Sequence, residues 1–216
     1  NSNRCSSLPP TLQHNLSLQK LYVDKNYLTT LPENLPKNLI SLSCSKNQFG
    51  TLLPETITNL KEMLFFDLSH NKVTALSHTM ARMTRLQRFN CSHNQILSLN
   101  EEPEGMYGMP SLTSLQLRGN LLLFFPEHIG LADQLTQLDL SHNKQLTNLT
   151  PELGELFNLR SLSINNCGLT RLPEGLDDYT TCLRALDLSY NSLSSLHDCV
   201  GSIFTLNTLW LNKNRL

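Results

Sequence analysis

Long hydrophobic runs are missing from this 216-residue chain. The longest, LLLFF at 121–125 and MLFF at 63–66, fall far short of the roughly 20 apolar residues that a membrane-spanning helix requires. Membrane insertion is therefore not expected. An excess of charge of one sign is missing as well, with Lys+Arg 17 against Asp+Glu 18 and a formal net charge of −1. Without surplus cations to neutralise phosphates, nucleic acid is not the expected partner. Six cysteines are present, but no CxxC pair or close cluster, so their spacing argues against a disulfide framework. No secretory leader is visible, and the chain does not start with Met. What remains is 39% hydrophobic and 16% charged, a composition that buries a core and is not that of a disordered chain.

What the chain does have is a period. An asparagine followed two residues later by an apolar residue occurs at Asn26, Asn47, Asn71, Asn94, Asn120, Asn191 and Asn214. Asn143 fits with one extra residue before Leu146, and Cys167 takes the same slot before Leu169. Successive members are 21 to 26 residues apart. A fixed apolar frame precedes each, as in Leu18, Leu21, Val23 or Leu112, Leu115, Leu117 or Leu206, Leu209, Leu211. Self-similarity at this period is the mark of a stacked repeat architecture.

Each part of the frame has a physical task. Two apolar residues separated by one point to the same face of a short strand. Strands from successive repeats stack in parallel, and the leucines behind them merge into one core. Where the chain turns away from the strand, backbone groups lose their ladder partners. A buried Asn amide, donor and acceptor at once, can satisfy them from repeat to repeat. The expected structural ladder is Asn26, Asn47, Asn71, Asn94, Asn120, Asn143, Asn191 and Asn214, with a weakened rung at Cys167. In the return half, LPETI at 53–57, FPEHIG at 125–130, TPELGEL at 150–156 and LPEGL at 172–176 place Pro and Glu where a short helix begins.

The frame L-x-x-L-x-L-x-x-N-x-L resembles the leucine-rich repeat, over essentially the whole chain. The resemblance implies an α/β fold: a leucine-rich-repeat solenoid, a curved horseshoe. A parallel sheet should line its concave side, with short helical or 3-10 segments on the convex side. Residues 1–216 read as one array of about nine strand-bearing repeats after an N-terminal half repeat. No polar cap is evident at either end, so an excerpt of a longer chain is expected. Cys44 and Cys91 occupy the last apolar position of the strand frame, and Cys5 fills the apolar slot after Asn3, as small buried hydrophobes. The redox state of Cys182 and Cys199, in return segments, stays open. Extracellular arrays of this family usually carry Cys-rich caps. None is seen here, and a cytoplasmic location is expected.

The face that such a fold presents to partners is the concave one. Most residues predicted there are small and polar. The exceptions are Tyr22, Phe65, Arg88, Arg118, Tyr190 and Trp210, types that dominate interface hot spots. Asp67, His70 and His93 complete the candidate partner-binding set. The stretch FDLSHNKV at 66–73 also holds the residue types of a hydrolytic triad, but DLS recurs in LDLSYN at 186–191 with Tyr190 in place of the His. A repeat consensus recurs in this way, whereas a single active site does not. No catalytic residue is expected. His70, His93 and Asp67 form the one conceivable metal set, but three ligands on an open face make a poor site, and neither metal nor cofactor is expected. The widest spacing, Asn94 to Asn120, accommodates LNEEPEGMYGMP, an acidic insertion read as a tolerated loop.

The repeats with LPxxL and a spacing near 23 resemble those of intracellular scaffolds of the Scribble and Ras-associated groups. LPENLPKNLISLSCSKN at 31–47 instead resembles bacterial effector repeats. The resemblance implies a non-catalytic protein–protein interaction scaffold in signalling, holding a protein partner on the concave face. A targeting or autoinhibitory segment of a larger signalling enzyme is the alternative, as is an architectural subunit of a large assembly.

Overall fold

A computed structural model describes residues 3–50, 55–99, 109–125, 127–173, 175–176 and 182–216. Among these, nine three-residue strands form one parallel sheet in strict sequence order. They are β1 (Lys20–Tyr22), β2 (Ser41–Ser43), β3 (Phe65–Asp67), β4 (Arg88–Asn90) and β5 (Ser114–Gln116). β6 (Gln137–Asp139), β7 (Ser161–Ser163), β8 (Ala185–Asp187) and β9 (Thr208–Trp210) complete it. The register is that of the frame: Leu42 pairs with Phe66, Phe66 with Phe89, Phe89 with Leu115, and so along the sheet.

The central residue of each strand points into the core and its two neighbours point out, the period of two that a strand imposes. Leu42, Phe66, Phe89, Leu115, Leu138, Leu162 and Leu186 are almost wholly buried. Phe66 and Phe89 stack with ring centroids 5.4 Å apart. The buried apolar residues form one contiguous cluster along the solenoid, as expected when no repeat can bury its apolar face alone.

The return segments are mostly 3-10 turns: Pro10–His14, Glu55–Asn59, His78–Arg82, Glu127–Leu131 and Pro151–Glu155. A four-residue helix α1, Cys199–Ser202, takes this place in the repeat after β8. Pro151–Glu155 has the predicted signature, with Pro in the first turn and Glu152 beside it. Pro54, Pro126, Glu174 and the insertion at 100–108 lie outside the described residues.

The asparagine ladder is continuous except at one rung. Asn71 donates to the carbonyls of Cys44, Leu68 and Ser69 at 3.1, 2.9 and 3.1 Å, and accepts from the Phe49 amide at 3.1 Å. Asn47, Asn94, Asn120, Asn143 and Asn191 repeat the scheme between their own neighbours. Cys167 keeps a long thiol contact of 3.4 Å to the Leu140 carbonyl but has no amide oxygen to offer. The Leu146 amide, which such an oxygen would receive, instead bonds the Asn143 carbonyl at 2.9 Å. The extra residue in the turn after Asn143 makes that local closure feasible.

The residue immediately before each ladder position is left-handed. Lys25, Lys46, His70, His93, His142, Asn166, Tyr190 and Lys213 have φ between 51° and 61°, and Gly119 has φ 66°. This backward turn swings the following amide into the core. Each amide N–H from Lys25 to Tyr190 still bonds the next repeat, as His70 does to the Ser92 carbonyl at 2.8 Å. The conformation costs an L-residue roughly 1–2 kcal/mol, which the ladder bonds offset.

Candidate functional site

Two rows of side chains project from the concave sheet. One runs from Lys20 through Ser41, Phe65, Arg88, Ser114, Gln137, Ser161 and Ala185 to Thr208. The other runs from Tyr22 through Ser43, Asp67, Asn90, Gln116, Asp139, Ser163 and Asp187 to Trp210. The left-handed residues form a third row along the rim where the strands end.

The sequence-derived candidates divide into one cluster and two outliers. Phe65, Asp67 and His70 on and after β3, Arg88 and His93 on and after β4, and Arg118 after β5 come together. Tyr22 stands on β1 at one end of the sheet, while Tyr190 and Trp210 stand at the other; all three are exposed.

Within the cluster, the Arg88 guanidinium lies over the Phe65 ring, 5.3 Å from its centroid. Such a cation–π contact holds a long side chain flat while leaving its edge donors outward. The His70 and His93 rings stack at 4.3 Å, nearly parallel at 11°. Arg118 Nη2 lies 2.8 Å from His142 Nε2, and His142 Nδ1 lies 2.8 Å from the Asn166 side-chain amide. A guanidinium only donates, so His142 Nε2 is the acceptor of the Arg118 bond. His142 and Asn166 are not among the sequence-derived binding candidates. The pairing of Arg118 with the rim residue of the next repeat is the signal that would have included them.

Burial, reinforced by His93 and Lys46, lowers the pKa of His70, against an opposing pull from Asp67. Burial and then Arg118 lower that of His142. Both rings therefore favour the neutral form. The buried thiols of Cys44 and Cys91 are pushed far up by desolvation, and that of Cys167 to about 11. Among the described residues no two cysteines are joined by a disulfide.

Asp67, Ser69 and His70 do not converge. Asp67 Oδ1 accepts the Ser69 amide at 2.8 Å, the Ser69 side chain is buried, and His70 is stacked on His93. The same Asx turn recurs at Asn90, Asp139 and Asp187, each accepting the amide two residues on. Its task is to shape the strand exit. Nor do two parallel stacked imidazoles aim their nitrogens at a common point. Among the described residues no group of three or more His, Cys, Asp or Glu side chains is arranged to hold a metal ion.

Beside Phe65 the sheet opens into a recess of about 310 Å³, bounded by Ser41, Asp67, Arg88, Ser114 and Gln116, with the strand backbone at Leu42, Phe66 and Phe89 as its floor. Ser41 and Ser114, small and buried, flank the large Phe65 and Arg88 and so create the depression. Among the described residues no helix is long and apolar enough to cross a membrane.

Comparison with known proteins agrees with this architecture. The family model for the Leucine Rich Repeat matches residues 38–60, 134–156, 158–178 and 182–203. The chain is similar to podocan of Mus musculus, 32% identical over 100% of this chain and 32% of that protein. It is also similar to the transforming growth factor beta activator LRRC33 of Danio rerio, 28% identical over 92% of this chain and 31% of that protein. It thus spans about a third of the length of these curated relatives. Among solved structures, a plant peptide hormone receptor, RGFR1 in complex with RGF2, superposes with a TM-score of 0.78 at 26% identity, covering 97% of this chain and 38% of the receptor. Frame, ladder and family model coincide: the chain is built of leucine-rich repeats.

Proposed function

We propose that this chain is a non-catalytic recognition scaffold that binds a protein partner on its concave face, through Phe65, Arg88, Arg118 and the rim histidines. The carrying observation is the cluster on β3–β5, where Arg88 and Phe65 stand outward from a sheet whose own core they do not help to build. Large planar side chains held in a fixed pose on a rigid surface bury much area on binding at little entropic cost. The plant receptor with the same fold, solved in complex with RGF2, supports a binding role. The balanced charge gives no support to nucleic acid as the partner.

The reading extends to a signalling scaffold of the intracellular kind, working in the cytoplasm within a longer chain. The buried, unbridged thiols of Cys44, Cys91 and Cys167 support a reducing compartment. Affinity capture with mass spectrometry, wild type against the triple variant Phe65→Ala, Arg88→Ala and Arg118→Ala, tests the binding face. Partners lost by the variant at unchanged Tm are the expected outcome. An identical captured set would defeat the reading.

A further inference from the structure

Hydrogen-bonding capacity is spent unevenly along the concave sheet. At the β1–β2 end, Asp24 already receives the hydroxyl of Ser43 and both the amide and hydroxyl of Ser45. Over β6–β8 the polar groups again satisfy one another. Ser141 and Ser163 share a bond of 2.8 Å, Asn165 donates to Asp187 Oδ2 at 2.7 Å, and Asp187 Oδ1 takes the Ser189 amide and hydroxyl. Side chains already paired in this way gain little by exchanging partners on binding.

Between these regions, β3–β5 is different. The Arg88 guanidinium has a ring beneath it, and among the described residues no carboxylate forms an ion pair with it. The ion pair among the described residues is Arg85–Glu62, outside the concave rows. Gln116 is exposed on the edge of the recess. The rim beside the recess carries Lys46, His70 and His93, with Arg118 one position inward of it. Among the described residues, Asp67 is the one acid of the two outward rows on β3–β5, and one of its oxygens is held by Ser69. Unspent donors and positive charge thus meet a recess beside the exposed Phe65 ring at one place.

We propose that this stretch is the primary subsite and that it takes an acidic, extended segment of a partner protein. A partner carboxylate sits on the Arg88 edge, and a neighbouring apolar side chain enters the recess beside Phe65. The dimensions agree: β2 to β5 spans about 14 Å at the strand spacing, the length of about four extended residues. A planar guanidinium held flat matches a carboxylate with two parallel bonds. The inference rests on the concave-face reading above and narrows it to one site and one chemistry.

A displayed library of random dodecapeptides, panned on the 216-residue chain, tests it. Enriched peptides should carry Asp or Glu beside an apolar residue, and lose about tenfold or more in affinity on Arg88→Ala. Phe65→Ala should weaken them too, and Arg88→Glu should enrich basic peptides instead. Both side chains are exposed, so an unchanged Tm certifies the fold of each variant. Peptides indifferent to Arg88→Ala and Phe65→Ala, but blocked by Ala185→Trp on β8, would leave the concave reading standing and overturn this one. Indifference to all three would overturn both. No enrichment, enrichment of neutral or basic peptides on the wild type, or binding of a dodecathymidine probe with Arg88 sensitivity would also overturn the acidic-segment proposal.

Discussion

Asn71 closes four backbone hydrogen bonds with a single side-chain amide, linking two successive repeats. Truncating it strands a buried N–H and removes the donor that serves three carbonyls, a loss on the order of 2–4 kcal/mol. Asn71→Ala should therefore lower the unfolding free energy by that amount, read as a lower denaturant midpoint at an unchanged m-value. A change within 0.5 kcal/mol in urea titration would show that water replaces the amide at little cost. These ladder residues were legible in the sequence because their role depends on a slot in the repeat and on donor-plus-acceptor chemistry alone. Asp67 was read as a recognition residue, and its structural contact, the Asx turn to Ser69, was not anticipated. Four copies of that turn, at Asp67, Asn90, Asp139 and Asp187, show that a residue of the outward row also shapes its own turn.

Among the elements, the left-handed rim row has the clearest physical signature. Nine consecutive repeats place a residue there with φ between 51° and 66°, and three of the nine are histidines. Gly119 also leaves room for its neighbour, because an added Cβ would stand 2.7 Å from His93 Nδ1. His70 and His142 both have folded pKa values below the ordinary 6.5. Below about pH 6.5 the unfolded chain binds protons at these rings that the folded chain resists. Stability should thus be complete above that pH, fall as pH drops through it, and level off once the folded rings are also protonated. Thermal melts from pH 8 to pH 5 should show this decline, and His70→Asn with His142→Asn should flatten it. An unchanged slope in the double variant would assign the decline to other groups. The strands themselves were foreseen to the residue in their facing, since alternation is a local property of extended chain. The 3-10 character of most return segments follows from Pro and Glu in the first turn and from the few residues available before the next strand.

In the whole molecule, each repeat touches only its neighbours, so stability is a sum of repeat terms and interface terms. The step from Asn143 to Cys167 is the weakest interface of the ladder. It retains one thiol contact of 3.4 Å and a locally closed turn at Leu146. Native-state hydrogen exchange should find the Leu146 amide less protected than those of Val73 and Ile96, which bond ladder oxygens at 3.0 and 3.1 Å. Equal protection at the three would show that the local turn compensates fully for the missing amide.

The amino-acid order is sufficient for the period, the strand facing, the ladder and the identity of the concave rows, because each follows from spacing within one repeat. It is not sufficient for the state of the concave side chains. Whether Arg88 rests on Phe65, whether Arg118 reaches His142, and which serines and aspartates pair off depend on contacts between residues 22 to 24 positions apart. Those contacts exist only once the repeats have stacked, since stacking brings side chains of successive strands within about 5 Å of one another. The division of the concave face into a self-satisfied part and a part with donors to spare therefore belongs to the folded molecule.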